Sequence, residues 1–327
     1  MEKHPFDIIS VGDATLDIFI RVAEASLLCS VDKTSCQLCF NYADKIPIER
    51  LDRDVAGNAA NNAVGSARLG MKTALYSIVG DDETGRSVIQ RLKKEKVSTK
   101  FIVVDTKNAS NYSVVLNYKG ERTILTYSEP RKYVTPALDH PAWIYYTAIG
   151  KHHDRLEQDI VRHVKKSGAK LAYNPGTVQL RQGLKHLELT FAVTTVLFLN
   201  KEEAQLLVGV KGTMAGLLRA LKETGPQIVV VTDGPRGASV FDGREMYSME
   251  VFPLKVVEMT GAGDSFATAF IAALHHGEDI PTALRWGTAN SGSVVGKIGP
   301  QAGLLHLPEL KKMVKRFASI KPKVLKE

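Results

Sequence analysis

Cysteine is scarce in this sequence, with only Cys29, Cys36 and Cys39 among 327 residues. An odd count at that density excludes a scaffold built on disulfides. Cys36-Gln37-Leu38-Cys39 is formally C-x-x-C, but no histidine lies nearby in sequence to complete a zinc set. Lys33–Tyr42 reads as a strand, not as the helix start a redox pair needs. The three cysteines are therefore expected to be packing thiols. No apolar run approaches the ~20 residues of a membrane span. No leader-like segment precedes the strand-like Phe6–Val11, so a cytoplasmic protein without membrane contact is expected. Internal repeats, low-complexity segments and a dividing linker are also missing. The formal net charge is +8, yet lysine and arginine are spread out, with local density only at Lys93-Lys94-Glu95-Lys96 and from Lys311 to Lys326. Without a basic stripe interleaved with aromatics, no nucleic-acid partner is expected. A positive field does suit small anionic ligands.

What is present is an ordinary globular composition, 44% hydrophobic and 24% charged, in a chain long enough for a large core. Strand and helix signals alternate. Asp7–Val11, Thr73–Val79, Trp143–Ile149, Lys170–Tyr173, Thr195–Leu199 and Gln227–Thr232 read as strands. Asn58–Leu69, Thr84–Glu95, Asp154–Lys166, Lys201–Leu207, Gly263–His275 and Pro281–Val295 read as helices. The alternation predicts an α/β fold, with an open and mostly parallel sheet covered on both faces. Ser30–Asn41 and Tyr112–Tyr127 break the pattern. The second reads as a hairpin, Ser113–Asn117 and Arg122–Tyr127 around Lys119-Gly120. Both are expected to build a small β lid.

Five segments carry chemistry. Thr260-Gly261-Ala262-Gly263-Asp264-Ser265-Phe266 places two glycines and an aspartate at the start of an apolar helix. Main-chain N–H groups at such a start form an anion site. A carboxylate there repels a phosphate, but it could take the proton of a hydroxyl attacking one. A helix cap is the plainer reading of the same residues. The G-x-x-x-x-G-K-[ST] and G-x-G-x-x-G patterns are both absent from the segment. Asp54-Val55-Ala56-Gly57-Asn58-Ala59-Ala60-Asn61-Asn62-Ala63 opens a helix with three asparagines, poor helix residues whose amides suit the hydroxyls of a polar ligand. Gly12-Asp13-Ala14-Thr15-Leu16-Asp17 follows the first strand, where open α/β sheets bind ligands. Asn200-Lys201-Glu202-Glu203 begins a helix, either as a cap or as a site holding hydrated Mg²⁺. Thr232-Asp233-Gly234-Pro235-Arg236-Gly237 is a tight turn after a buried strand and suits a nucleotide-facing loop.

In this order, over nearly the whole chain, the five segments resemble the ribokinase-like (phosphofructokinase-B type) carbohydrate and nucleoside kinases. The resemblance implies a three-layer α/β sandwich in one domain over residues 1–327, with a β lid from about 18–54 and 101–130. It implies Asp264 as catalytic base and Gly261, Ala262 and Gly263 as the anion hole. Asp17, Gly57, Asn58 and Asn61 would face the acceptor. Asn200, Thr232, Gly234, Gly237 and Asn290 would face ATP, with Mg²⁺ near Glu203 through water. The chain departs from the family pattern at Ala56, where the first glycine of a pair is usual. Asn58 replaces the lysine of ribokinases proper, and Glu258 replaces an aspartate associated with a monovalent cation, so the resemblance does not carry ribose or potassium across.

The expected reaction moves the γ-phosphoryl group of ATP to a primary hydroxyl of a sugar or, alternatively, a nucleoside. A non-catalytic nucleotide-binding regulator would have a broken base or anion loop, and this chain keeps both. An NAD-linked oxidoreductase would carry a glycine-rich fingerprint after the first strand, which Gly12-Asp13-Ala14-Thr15 does not supply. Exposed edge strands in the lid predict pairing into a homodimer. Light scattering should then report a mass of two chains; a single-chain mass refutes the pairing.

Overall fold

The computed structural model describes residues 4–30, 36–119, 121–209 and 212–325. Gly120 of the expected hairpin turn and the first part of Lys33–Tyr42 fall outside them. In chain order the elements begin with β1 (Ile8–Val11), β2 (Thr15–Val22), β3 (Ser26–Cys29), β4 (Cys36–Cys39), β5 (Ile48–Ala56) and α1 (Asn58–Arg68). Next come β6 (Thr73–Gly80), α2 (Glu83–Lys94), β7 (Ser98–Asp105), β8 (Tyr112–Tyr118), β9 (Glu121–Tyr127) and β10 (Trp143–Thr147). The middle holds α3 (Asp154–Ser167), β11 (Lys170–Asn174), α4 (Thr177–Leu180), α5 (Leu184–Phe191), β12 (Thr194–Asn200), α6 (Lys201–Val208) and α7 (Met214–Glu223). The chain ends with β13 (Ile228–Thr232), β14 (Ala238–Phe241), β15 (Met246–Met249), α8 (Ala262–His275), α9 (Ile280–Val294), α10 (Leu307–Arg316) and β16 (Lys323–Val324).

Ten strands form one sheet in the order β16-β15-β14-β13-β12-β11-β10-β1-β6-β7. The run from β13 to β7 is parallel, and β14, β15 and β16 extend it antiparallel. The period-two alternation of a strand splits its residues between two apolar layers. Trp143 and Tyr145 of β10 pack with α8, α9 and α10, while Ile144 and Tyr146 pack with α3, α5 and α7. Helices thus cover both faces, giving the expected three-layer α/β sandwich. No helix among the described residues is long and apolar enough to cross a membrane.

A second sheet has the order β5-β2-β8-β9, and β3 and β4 form a separate hairpin. The small sheet starts at Thr15 and runs through Ala56, wider than the expected 18–54. Phe101–Asp105 lies instead in β7, at the edge of the large sheet, because its side chains follow the register of β6. Register aligns Asp17 of β2 with Ser113 of β8, and Ser113 with Thr126 of β9, so these three form one row across the small sheet.

The cysteines depart from expectation. Cys29 and Cys36 stand opposite each other across the β3–β4 hairpin and are joined in a disulfide, while Cys39 is free. Both bonded cysteines are exposed, so they are not packing thiols. Sequence spacing could not show the pairing, because the opposition is created by the hairpin register.

Candidate active site

The parallel strands β1, β11, β12 and β13 end on the same side of the sheet, where a doubly wound fold leaves a crevice. Helix starts follow there. Gly57 precedes α1 with φ 95°, and a Cβ at this position would lie 2.4 Å from the Asp13 carbonyl oxygen. Only glycine fits that turn. Gly261 precedes α8 with φ 78°, and a Cβ there would meet Pro300 at 2.6 Å. These two turns set the first residues of α1 and α8 side by side.

Between them lies a polar cavity of about 420 Å³. Asp17, Gly57, Asn58 and Asn61 line it from one side, and Asn200, Glu203 and Gly261–Asp264 from the other. A second cavity of about 420 Å³ is apolar, lined by Val251, Leu254, Val256, Phe266 and Val295 together with Gly234 and Gly237. Thr232, Met259, Ala262 and Gly263 line both. The start of α8 is therefore the shared wall of a polar and an apolar chamber. Gly263 and Asp264 lie in its first turn, where main-chain N–H groups lack intrahelical acceptors. A Cβ at Gly263 would meet nothing within 4 Å. The missing side chain leaves room for a group to approach the main chain.

Asp264 is 8% exposed, and its Oδ2 accepts a 2.9 Å hydrogen bond from Asn61 Nδ2. Burial pushes its carboxyl up to about 6; the Asn61 bond opposes this, and the Asp17 and Glu203 carboxylates add to it. Asn61 Oδ1 in turn accepts from Gln301 Nε2 at 3.2 Å, and Arg91 Nε donates to Gln301 Oε1 at 3.2 Å. Asp17 is also pushed up to about 6 by burial, against hydrogen bonds from Thr15 and Ser113. Asn200 and Glu203 make the capping box of α6, each side chain accepting from the other's backbone N–H at 2.8 Å. Burial raises the Glu203 carboxyl, with the Asn200 backbone bond opposing.

Two asparagines are not where a ligand-facing reading puts them. Asn62 is fully buried, donating to Thr268 Oγ1 and accepting from Ser10 Oγ, and so ties α1 to α8 and β1. Asn290 is fully buried as well. Its amide donates to the Ser265 carbonyl and accepts from Leu305 N, while Thr288, Ser291 and Gly292 line the apolar cavity. Asn61 lines the polar cavity, yet both ends of its amide are taken by protein groups. Glu258 Oε1 accepts from Thr260 N and Oγ1 and pairs with Arg122 at 3.4 Å, and Oε2 accepts from Gly299 N.

Sequence reading passed over Arg122, Ile124 and Thr126, which line the polar cavity from β9. Their i, i+2, i+4 spacing is a strand signal, but nothing in it told which face would turn inward. Arg122 is the one cationic side chain among the described lining residues of that cavity.

The profile of pfkB family carbohydrate kinases matches residues 25–307. The 5-dehydro-2-deoxygluconokinase of Halalkalibacterium halodurans is 26% identical, over 96% of this chain and 96% of its own. Among solved structures, Arabidopsis thaliana ribokinase complexed with ribose and ATP superposes with a TM-score of 0.78 at 20% identity, covering 95% of this chain and 99% of the other. The nucleoside kinase of Methanocaldococcus jannaschii gives 0.75 at 20% identity, covering 95% and 98%.

Removing the Asn61 amide should leave the Asp264 carboxylate buried without its donor. Asn61→Leu is expected to raise the Asp264 pKa by roughly one unit, the size of a hydrogen bond to a charged group. Carboxyl-carbon NMR titration checks this, and an unchanged midpoint would show that the bond does not hold the carboxylate.

Proposed function

The chain belongs to the pfkB family of carbohydrate kinases, phosphotransferases with an alcohol acceptor, and we propose that it transfers the γ-phosphoryl group of ATP to a primary hydroxyl of a sugar. One observation carries this reading: a buried carboxylate and a helix N-terminus form the common wall of a polar and an apolar cavity. The acceptor takes the polar chamber and the nucleotide the apolar one, whose lining suits a base. The transferring group then passes over Gly261–Asp264.

In this mechanism Asp264 Oδ1, the oxygen not bonded to Asn61, takes the proton of the attacking hydroxyl. Asn61 is a positioning residue that fixes the rotamer of Asp264 and keeps the carboxylate ionised against burial. The N–H groups of the first turn of α8 hold charge that develops on the transferring phosphoryl. Asp17 accepts from acceptor hydroxyls, with Gly57 and Asn58 beside it. Glu203 and Asn200 fit a hydrated Mg²⁺: a half-buried carboxylate lines the polar cavity with one oxygen committed to the backbone. That ion would neutralise charge on the phosphates and so assist transfer. The small sheet serves as the lid of one kinase unit, covering the polar chamber through β2, β8 and β9 and excluding water, a competing acceptor.

A sugar is favoured over a nucleoside by the lining itself. Asp17, Asn58, Ser113, Arg122 and Thr126 offer hydrogen bonds, and the one aromatic among the described lining residues, Phe198, is 4% exposed and packs edge-on against Phe270. Arg122 suits an acceptor with an acidic substituent, and the gluconokinase relative is by name a kinase of a sugar acid.

Asp264→Asn is expected to lower kcat by roughly 10²–10⁴, the contribution of a positioned base, while ATP affinity by calorimetry is retained. Near-normal turnover in that variant would refute the mechanism. The base works only when ionised, so kcat/KM should reach a plateau well above pH 6 and fall as pH drops through about 6. Because Asp17 titrates in the same window, the limb should be steeper than one decade per pH unit; a profile flat to pH 5 would contradict both assignments. In an ADP-release assay across neutral sugars, sugar acids and nucleosides, the best sugar or sugar acid should exceed every nucleoside by about tenfold in kcat/KM, the worth of one or two hydrogen bonds. A nucleoside at the top of that ranking would overturn the sugar assignment.

A further inference from the structure

Away from both cavities, the start of α3 meets α5 in a cluster of two histidines and two carboxylates. His153 is fully buried, and its Nδ1 lies 2.9 Å from the Gly150 carbonyl oxygen. A carbonyl only accepts, so Nδ1 carries the hydrogen and Nε2 of the neutral ring presents a lone pair. That Nε2 has no hydrogen-bond partner. It faces Glu157 Oε2 at 3.6 Å, an atom that is equally buried and equally unpartnered. The other oxygen of Glu157 accepts from Thr190 Oγ1 at 2.5 Å. With the ring neutral and Glu157 ionised, two acceptors confront each other in the interior, an arrangement that is unfavourable unless a proton or a metal ion lies between them. His186 of α5 brings Nε2 to 3.7 Å from the same Glu157 oxygen and 3.3 Å from Asp154 Oδ1. One ligand atom each from His153, Asp154 and His186 lie within 4.8 Å of one another.

These separations have a geometric meaning. Zinc bonds of about 2.0–2.2 Å to nitrogen and oxygen, arranged as a tetrahedron, put neighbouring ligand atoms about 3.3–3.6 Å apart. Three of the six edges among these four residues, 3.3, 3.6 and 3.7 Å, lie near that figure, and the compact set is His153, Asp154 and His186. The surroundings match as well: a metal-bound histidine usually donates its second nitrogen to a carbonyl, and a metal-bound carboxylate is itself hydrogen-bonded. Here Gly150 and Thr190 supply those contacts.

We propose that His153, Asp154 and His186, with Glu157 beside them, form a binding site for a divalent transition cation of the zinc class. Two imidazoles select against Mg²⁺ and Ca²⁺, which take oxygen donors. Three protein ligands leave a fourth position for water, and the place of the site away from both cavities makes its role structural rather than catalytic. His186 and Asp154 are partly exposed and give the ion a route from solvent. Bound metal would clamp α3 to α5. It would also fix the Gly150–His153 loop, whose Gly150 N–H donates to Asp13 Oδ2 at 2.9 Å just after β1.

The test uses untagged full-length protein stripped with a chelator and kept free of nucleotide. Calorimetric titration with Zn²⁺ should show one ion per chain, and the thermal midpoint should rise with Zn²⁺ concentration, as for any ligand of the native state alone. Co²⁺ in the same site should give the visible absorption of a four-coordinate ion. His153→Gln alters the interior and could fail to fold, so the decisive variants are His186→Ala and Asp154→Asn, at partly exposed positions. Each should keep the metal-free midpoint and weaken Zn²⁺ binding at least tenfold. Absence of binding in the wild-type protein would overturn the proposal. So would equal binding in His186→Ala, which would place the ion elsewhere.

Discussion

A carboxylate buried in the wall between two chambers is the constraint around which the site is arranged. Asp264 lies in the first turn of α8 at 8% exposure, where burial disfavours its charge. One hydrogen bond from Asn61, across 203 residues of sequence, opposes that cost. The bond requires α1 and α8 to start side by side, which the tight turns at Gly57 and Gly261 permit and the buried Asn62–Thr268 contact reinforces. Behind Asn61 stand Gln301 and Arg91, so the rotamer of the carboxylate depends on groups that never reach the cavity.

The two chambers differ in what they can hold. Phe266 of α8, Val295 just after α9 and apolar side chains of the segment after β15 line one, whereas the small sheet and the strand ends supply the polar wall of the other. Gly263 leaves main chain open where the chambers meet. In the proposed mechanism this division of labour separates donor from acceptor and gives them a single point of contact. Positioning then supplies most of the rate, as expected for phosphoryl transfer, where the protein performs little covalent chemistry.

Much of the large sheet was legible in the sequence because its signals are local. The buried β-branched run ending at Thr232 and the alanine-rich helices after Gly57 and Gly261 announce themselves by period and punctuation. The antiparallel extension was not legible: β14 and β15 have four residues each and β16 two, too short for a period to show. Segment by segment, the sequence pointed to Asp17, Asn61, Glu203 and Asp264, and the fold gathers them around one cavity. Their partners were hidden, since the ties of Asn61 to Asp264 and Gln301 and the approach of Arg122 to Glu258 span more than a hundred residues each. Asn62 lies 206 residues from Thr268, which hid that its amide is spent on the interior, while the Asn290 amide, directed toward ATP by resemblance alone, bonds Ser265 and Leu305. The Cys29–Cys36 bridge was concealed too, as a product of hairpin register.

The central claim is that an acceptor hydroxyl meets Asp264 at the wall between the chambers. It is tested most directly by a crystal structure with a turned-over sugar and a non-hydrolysable ATP analogue bound together. The account predicts the primary hydroxyl within about 2.6–3.2 Å of an Asp264 carboxylate oxygen, with the terminal phosphate over the first turn of α8. A hydroxyl directed away from Asp264, or a nucleotide lodged in the polar chamber, would contradict it.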